Sequence, residues 1–478
     1  AAGARHLERP NPAWTEDDSP FVFHTEARPW AAPAAERVAG VSAFGFGGTN
    51  FHVVLEAYDG AVPPEQGLDA WPAELFLFRG RDEKAAHRGI EELLRAAESG
   101  SWRLRDLALA AARRADASPE PVRAAVVADD VTELVGQLRR VLAGERDPRA
   151  GIHLAGASQD ADAKVAFLFP GQGSQRPGML ADVLIAFPEL QHYLQLGRVH
   201  ADALYPPAAF DDTTRERRRA ALTDTRAAQP ALGITGLAAH ALLTAAGVRP
   251  DMAAGHSYGE LVALSAAGAL TPEALLELSA ERAAAILAAA GDEPGTMAAV
   301  SAGAHDVERA LRAAGAPDAV VLANHNSPQQ TVISGPTEEV TAAVRLLREA
   351  GLGAKRIPVA CAFHSPVVAG AGERFAEVLA DTVVRPPEFP VWSNRTAAPY
   401  GDDAEAVRAG LAAQIGSPVV FAAQIEAMYE AGARVFVEAG PGSVLTRLVG
   451  QILGDRPHTT VACEPRADSG LRGWLDAL

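Results

Sequence analysis

Asp251–Leu264 reads DMAAGHSYGELVAL: a short apolar run, then Gly255-His256-Ser257-Tyr258-Gly259, then a helix-forming run from Glu260. GxSxG at a strand-to-helix junction predicts a nucleophile elbow. Small glycines permit the strained turn, the serine hydroxyl is thrust out, and the helix N-terminus favours nearby negative charge. Upstream, Lys164–Phe169 (KVAFLF) reads as a strand leading into a Gly-rich loop, and the Ala-rich stretch Ala231–Val248 reads as a buried helix. Strands and helices therefore alternate around the elbow, which implies an α/β fold with a largely parallel sheet.

Further along, Met297 to Val359 changes character. MAAV, DVERALRAA, VVLANHN, QTVISG, EEVTAAVRLLREA and AKRIPV follow the order β-α-β-β-α-β, a ferredoxin-like unit inserted into the larger fold. After it, Pro390–Trp392, Val435–Val437 and Thr459–Pro465 resume the sheet. Before Lys164, a strand at Leu75–Phe78, helices around Ile90 and Leu104–Arg114, an apolar run Ala124–Ala128 and a helix Val131–Leu142 form a compact α/β module behind the Pro63-Pro64 breaker. Val38–Glu56 contains GFGG between two β-branched and aromatic runs, which reads as a tight turn joining two strands. The Pro-punctuated tract Ala1–Trp30 should be extended and packed against something else. The expected divisions are 1–58, 59–163, 164–296, 297–360 and 361–478.

The 478 residues are enough for about three domains. A formal charge of −17 argues against a general nucleic-acid binder, which needs net or clustered positive charge. Cys361 and Cys463 are far apart and outside any CxxC, so neither a disulfide framework nor a thiol metal site is expected; a reducing cytoplasm is the natural home. The first thirty residues lack an apolar signal core, and no stretch reads as a membrane span. The missing initiator Met and the extended start suggest a piece of something longer.

A hydroxyl nucleophile requires a base. Of thirteen histidines, His364 in VACAFHSP stands out because it lies where the insertion returns to the sheet. His256 is too tightly tied beside Ser257 to reach its hydroxyl productively and reads as a supporting residue. Acyl transfer also needs donors for an oxyanion. FPGQGSQ, after the strand VAFLF, could present the Gln172 amide beside that of Tyr258. Arg282, 25 residues beyond Ser257, is suited to hold a substrate carboxylate if it is buried.

FPGQGSQ, GHSYGE, GALT with Arg282, PGTMAAV, ANHNSPQQTVISG, CAFHSP and EAGPGSVLT, in this order, resemble the malonyl-type acyltransferase domain of fatty acid and polyketide synthases over roughly Lys164 to Val461. The resemblance implies an α/β-hydrolase-like large subdomain with the ferredoxin-like small subdomain inserted. It implies Ser257 as nucleophile, His364 as base, an oxyanion hole from the Gln172 and Tyr258 amides, and Arg282 as the malonyl carboxylate site. The matching orienter of the imidazole is the main-chain carbonyl of Gln414, giving a Ser-His dyad. His256, Asn324 and Phe363 would line the substrate site, with Asn324 and Asn326 supporting the seam between subdomains. No bound cofactor is implied: malonyl-CoA is the substrate, and the acceptor is the phosphopantetheine thiol of an acyl carrier protein. SAFGFGGTNFHVVLE resembles the last strands of a ketosynthase, a partner domain of the same polypeptide, without its catalytic Cys or histidines. Residues of about 60 to 160 resemble the ketosynthase-to-acyltransferase linker, and His6–Trp30 resembles iterative synthases of the enediyne type.

Two departures bear on substrate choice. Malonyl-selective members often carry HAFH and methylmalonyl-selective ones YASH, whereas this chain has Cys361-Ala362-Phe363-His364. Tyr258 is neither the aliphatic residue nor the Gln frequent after the nucleophile. A methylmalonyl extender, an editing acyl hydrolase and an inert docking scaffold are the alternatives. Arg215, Arg217, Arg218 and Arg219 form a candidate basic patch for a carrier protein.

Overall fold

A computed structural model describes residues 7–16, 18–58, 67–68, 70–156 and 162–478. The Pro63-Pro64 breaker and the first six residues of the N-terminal tract lie outside these. GFGG turns a hairpin of β1 (Val38–Ala43) and β2 (Phe51–Glu56), paired antiparallel with Val41 opposite Val53. Next, β3 (Glu74–Arg79), β4 (Val122–Ala128) and β5 (Ile152–Leu154) make a three-stranded antiparallel sheet. It carries α1 (Glu83–Glu98), α2 (Leu104–Asp116) and α3 (Val131–Leu142). Ile90, Leu93 and Ala97 fall on one face of α1 and join Phe76, Val126 and Leu134 in a separate core. Asp82 and Asp130 cap α1 and α3, each accepting a first-turn N–H.

The large subdomain is built on a five-stranded parallel sheet. Its first two strands are β6 (Lys164–Phe169) and β7 (Met252–Gly255), separated by a helical region that ends in α4 (Thr225–Ala245). Burial on both faces explains their continuous apolar character. After β7 come α5 (Gly259–Ala266) and α6 (Pro272–Ala290).

β8 (Thr296–Val300), β9 (Val321–Ser327), β10 (Gln330–Gly335) and β11 (Ala354–Ile357) then form an antiparallel sheet in the order β11-β8-β10-β9, with helices Ala304–Ala313 and Thr337–Glu349 in the β-α-β-β-α-β arrangement. The chain returns to the large sheet with β12 (Val391–Trp392), α7 (Ala404–Gln414), β13 (Ala433–Pro441) and β14 (Thr459–Glu464), completing the order β12-β7-β6-β13-β14. The fold is mixed α/β, with a large and a small subdomain.

Two packings were not readable from the sequence. The final helix Gly470–Ala477 does not trail away: Trp474 is fully buried, and Arg472 reaches Asp129 at 2.5 Å and Glu133 at 3.1 Å on the three-stranded module. Arg215, Arg217, Arg218 and Arg219 are engaged in ion pairs, Arg219 with Glu216 at 3.6 Å, while all but Arg218 keep more than half of the side chain exposed. Arg217 and Arg218 lie 3.0 and 2.7 Å from the Glu16 carboxylate, and Arg215 pairs with Asp212 at 2.6 Å. Trp14, Phe23 and Phe210 stack edge-on beside them, so the cluster pins the N-terminal tract. Among the described residues no helix is long and apolar enough to cross a membrane.

Candidate active site

The carboxyl ends of β6 and β7 lie side by side, with Phe169 opposite Gly255. Ligands of open parallel sheets bind at such ends. The elbow leaves β7 with Ser257 at φ 52°, in the left-handed region that costs a non-glycine residue about 1–3 kcal/mol. Its flanking glycines are required by contact. A Cβ on Gly255 would fall 1.8 Å from the Gly259 carbonyl carbon, and one on Gly259 would fall 2.1 Å from the Phe169 oxygen.

Ser257 Oγ donates to His364 Nε2 at 2.7 Å, across 107 residues of sequence. His364 follows the last small-subdomain strand, is 3% exposed and also has a positive φ of 57°. Its Nδ1–H donates to the Ser417 carbonyl at 2.9 Å, with the Gln414 carbonyl at 3.3 Å. The sequence pointed to Gln414 as the orienter; the nearer acceptor is Ser417, one turn on. Both carbonyls leave Nε2 as the acceptor facing the serine. Burial, then the charge of Arg282, then His256 push the imidazole down to about 3, so it is neutral near pH 7 with Nε2 unprotonated.

Arg282 projects from α6 and is 3% exposed. Burial lowers its guanidinium to about 10, which leaves it charged. Its one hydrogen-bond partner among the described residues is the neutral Gln414 side chain, through Nη2 to Oε1 at 3.1 Å. A buried guanidinium with most of its donors free is costly unless an anion completes it.

One cleft of about 290 Å³, between the elbow and the small subdomain, is lined by Ser257, His364, Arg282, Gln172, Tyr258 and Phe363. The GQG loop lies against the elbow, since a Cβ on Gly171 would meet the His256 oxygen at 2.2 Å. The backbone N–H groups of Gln172 and Tyr258 have no acceptor among the described residues. Tyr258 points its ring under α4, where its hydroxyl meets Ser279 Oγ at 2.6 Å; Ser279 in turn donates to the Leu275 carbonyl. Gly233 makes room for that ring, since a Cβ there would sit 2.7 Å from the phenol oxygen. His256 Nε2 bonds Asn326 Oδ1 at 2.9 Å and ties the elbow to β9. Asn324 Oδ1 and both amide atoms of Gln229 are buried without a partner among the described residues, and both side chains line the cleft. Phe363 packs on Met297, Ala323 and Val332 from the small subdomain.

Asn394, just after β12, escaped the sequence reading. It is fully buried; its Oδ1 accepts the Ser257 N–H, and its Nδ2 donates to the Gly255 carbonyl and to Gln424 Oε1. A polar SNRT directly after the buried pair Val391-Trp392, at the carboxyl end of a parallel strand, was the available signal. Ser417 had none, because a main-chain carbonyl leaves no mark on side-chain identity.

The acyl transferase domain family matches residues 166–468, and the ketoacyl-synthetase C-terminal extension matches residues 10–126. A subunit of the phenolphthiocerol/phthiocerol polyketide synthase from Mycobacterium tuberculosis is 33% identical over 92% of this chain and 29% of its own length. The chain spans between 8% and 29% of the curated relatives compared with it. Among solved structures, the acyltransferase domain from the second module of the salinomycin polyketide synthase is 30% identical, with a TM-score of 0.64 over 86% of this chain and 92% of that one. A malonyl-transacylase solved with its type II acyl-carrier protein is 30% identical, with a TM-score of 0.58 over 66% and 99%.

Proposed function

The chain belongs to the acyl transferase domain family, and from that premise we propose that it takes malonyl from malonyl-CoA onto Ser257 and passes it to the phosphopantetheine thiol of an acyl carrier protein. The observation that carries the malonyl reading is the buried Arg282, whose guanidinium shares the cleft with Ser257 and, among the described residues, is hydrogen-bonded only to a neutral amide. A hydrolase of neutral acyl chains gains nothing from such a cation.

The cycle is ping-pong. His364 Nε2 takes the Ser257 proton as Oγ attacks the thioester carbon, and the oxyanion is met by the Gln172 and Tyr258 N–H groups. Collapse expels the CoA thiolate, which takes the proton from His364, and leaves a malonyl ester on Ser257. The carrier thiol then attacks that ester by the reverse proton path, restoring Ser257. Phe363 beside the base fills the space an α-methyl branch would need, which favours malonyl over methylmalonyl.

We assign the divisions at 58, 163, 296 and 360 to a ketosynthase remnant, a linker and the two subdomains. The β1–β2 hairpin supports the first: Val41 with Val53 and Ala43 with Phe51 share one face, and the large side chains on it are exposed. A lone two-stranded hairpin is marginal in water, and this face suits packing on a ketosynthase of the same polypeptide. The iterative, enediyne-type placement rests on His6–Trp30 alone.

Intact-protein mass after mixing with malonyl-CoA tests the reading. Wild type should gain a malonyl adduct that a carrier protein removes, Ser257→Ala should gain none, and His364→Ala should acylate roughly 10²-fold more slowly. An adduct on Ser257→Ala would move the nucleophile elsewhere.

A further inference from the structure

The Gln414 side chain touches two parts of the site at once. Its Oε1 accepts from Arg282 Nη2 at 3.1 Å, and its Nε2 donates to the Ser257 carbonyl at 3.0 Å. Gln414 closes α7 and is 3% exposed. No carboxylate is hydrogen-bonded to Arg282 among the described residues, although the buried Glu260 carboxyl acts on it through charge; the Gln414 amide is the hydrogen-bonded link between the guanidinium and the elbow. The main-chain carbonyl of the same residue, and that of Ser417, serve His364 separately.

We propose that the Gln414 side chain is a positioning residue that registers the carboxylate-binding Arg282 against Ser257, so that an acyl group bearing a carboxylate is loaded in preference to an uncharged one. The inference rests on the reading of Arg282 given above. An amide suits the task because it presents an acceptor to the cation and a donor to the elbow carbonyl without neutralising the cation. Glutamate would form an ion pair with Arg282 and compete with the substrate, while methionine keeps the length and loses both bonds.

The test is single-turnover self-acylation with malonyl-CoA and with acetyl-CoA, using wild type, Gln414→Met, Gln414→Glu, Arg282→Ala and Gln414→Met/Arg282→Ala. Gln414→Met should lower the malonyl-to-acetyl ratio of kcat/KM by about tenfold or more, the scale of one hydrogen bond to a charged group, chiefly through KM for malonyl-CoA. Gln414→Glu should lower the ratio further. With Arg282 already removed, Gln414→Met should not move the ratio. A fall of malonyl and acetyl loading by the same factor in both Gln414 variants would make the residue merely structural and overturn the proposal. So would a full Gln414→Met effect on the ratio in the absence of Arg282. Arg282→Ala reads the underlying assignment with Gln414 intact: a wild-type ratio in that protein would overturn the carboxylate reading and this inference with it, whereas a collapsed ratio there with an unmoved one in Gln414→Met would overturn this inference alone.

Discussion

Replacing Asn394 by alanine should loosen the elbow that presents Ser257. Asn394 makes three side-chain bonds from a fully buried position, to the Ser257 N–H, the Gly255 carbonyl and Gln424 Oε1. Each buried polar group left unpartnered costs about 1–3 kcal/mol. Ser257 borders the cleft, where water can replace part of the loss, so the change should destabilise the protein by about 2–4 kcal/mol. The same bonds oppose relaxation of Ser257 out of its left-handed backbone, a release of about 1–3 kcal/mol. If about 2.7 kcal/mol of that reaches the transition state, acylation slows roughly 10²-fold. Urea unfolding followed by fluorescence, with the slope held constant, reads the first effect, and single-turnover malonyl-adduct formation by mass reads the second. An Asn394→Ala protein with the wild-type urea midpoint and acylation rate would refute the argument that this side chain holds the elbow.

Because burial, Arg282 and His256 all disfavour the imidazolium of His364, protonation should not limit acylation until the pH falls far below the ordinary histidine value, and the rate should stay flat from about pH 5 to 8. In Arg282→Ala one depressant is gone, so the acid limb measured with acetyl-CoA should move upward; a wild-type limb near 6.5, or a downward move in the variant, would contradict this. In competition at equal concentration, wild type should load malonyl over methylmalonyl by roughly 10- to 200-fold, and Phe363→Ser should narrow the gap. Equal loading by wild type would sink the steric argument.

Chemistry that is local in the chain was legible before any coordinates. Gly255 and Gly259 flank Ser257 within five residues; the close approach that demands Gly255 arises inside the same strand-turn-helix, whereas the one that demands Gly259 comes from Phe169 at the end of β6. The β-α-β-β-α-β order of Met297–Val359 and the uninterrupted apolar strands β6 and β7 likewise follow from periodicity and burial, which side-chain types record directly. Tertiary structure alone decided the pairings that span the chain. Ser257 meets His364 across 107 residues and Asn394 across 137, and the acceptor that orients His364 is a main-chain oxygen that any residue could supply. It also decided that Arg217 and Arg218 meet Glu16, that Arg472 fastens the final helix to the module before β6, and that one amide of Gln414 spans cation and nucleophile. Residue type states what a group can donate, accept or neutralise; the partner it finds is fixed by how strands and helices distant in sequence stack, and that packing leaves no local signature.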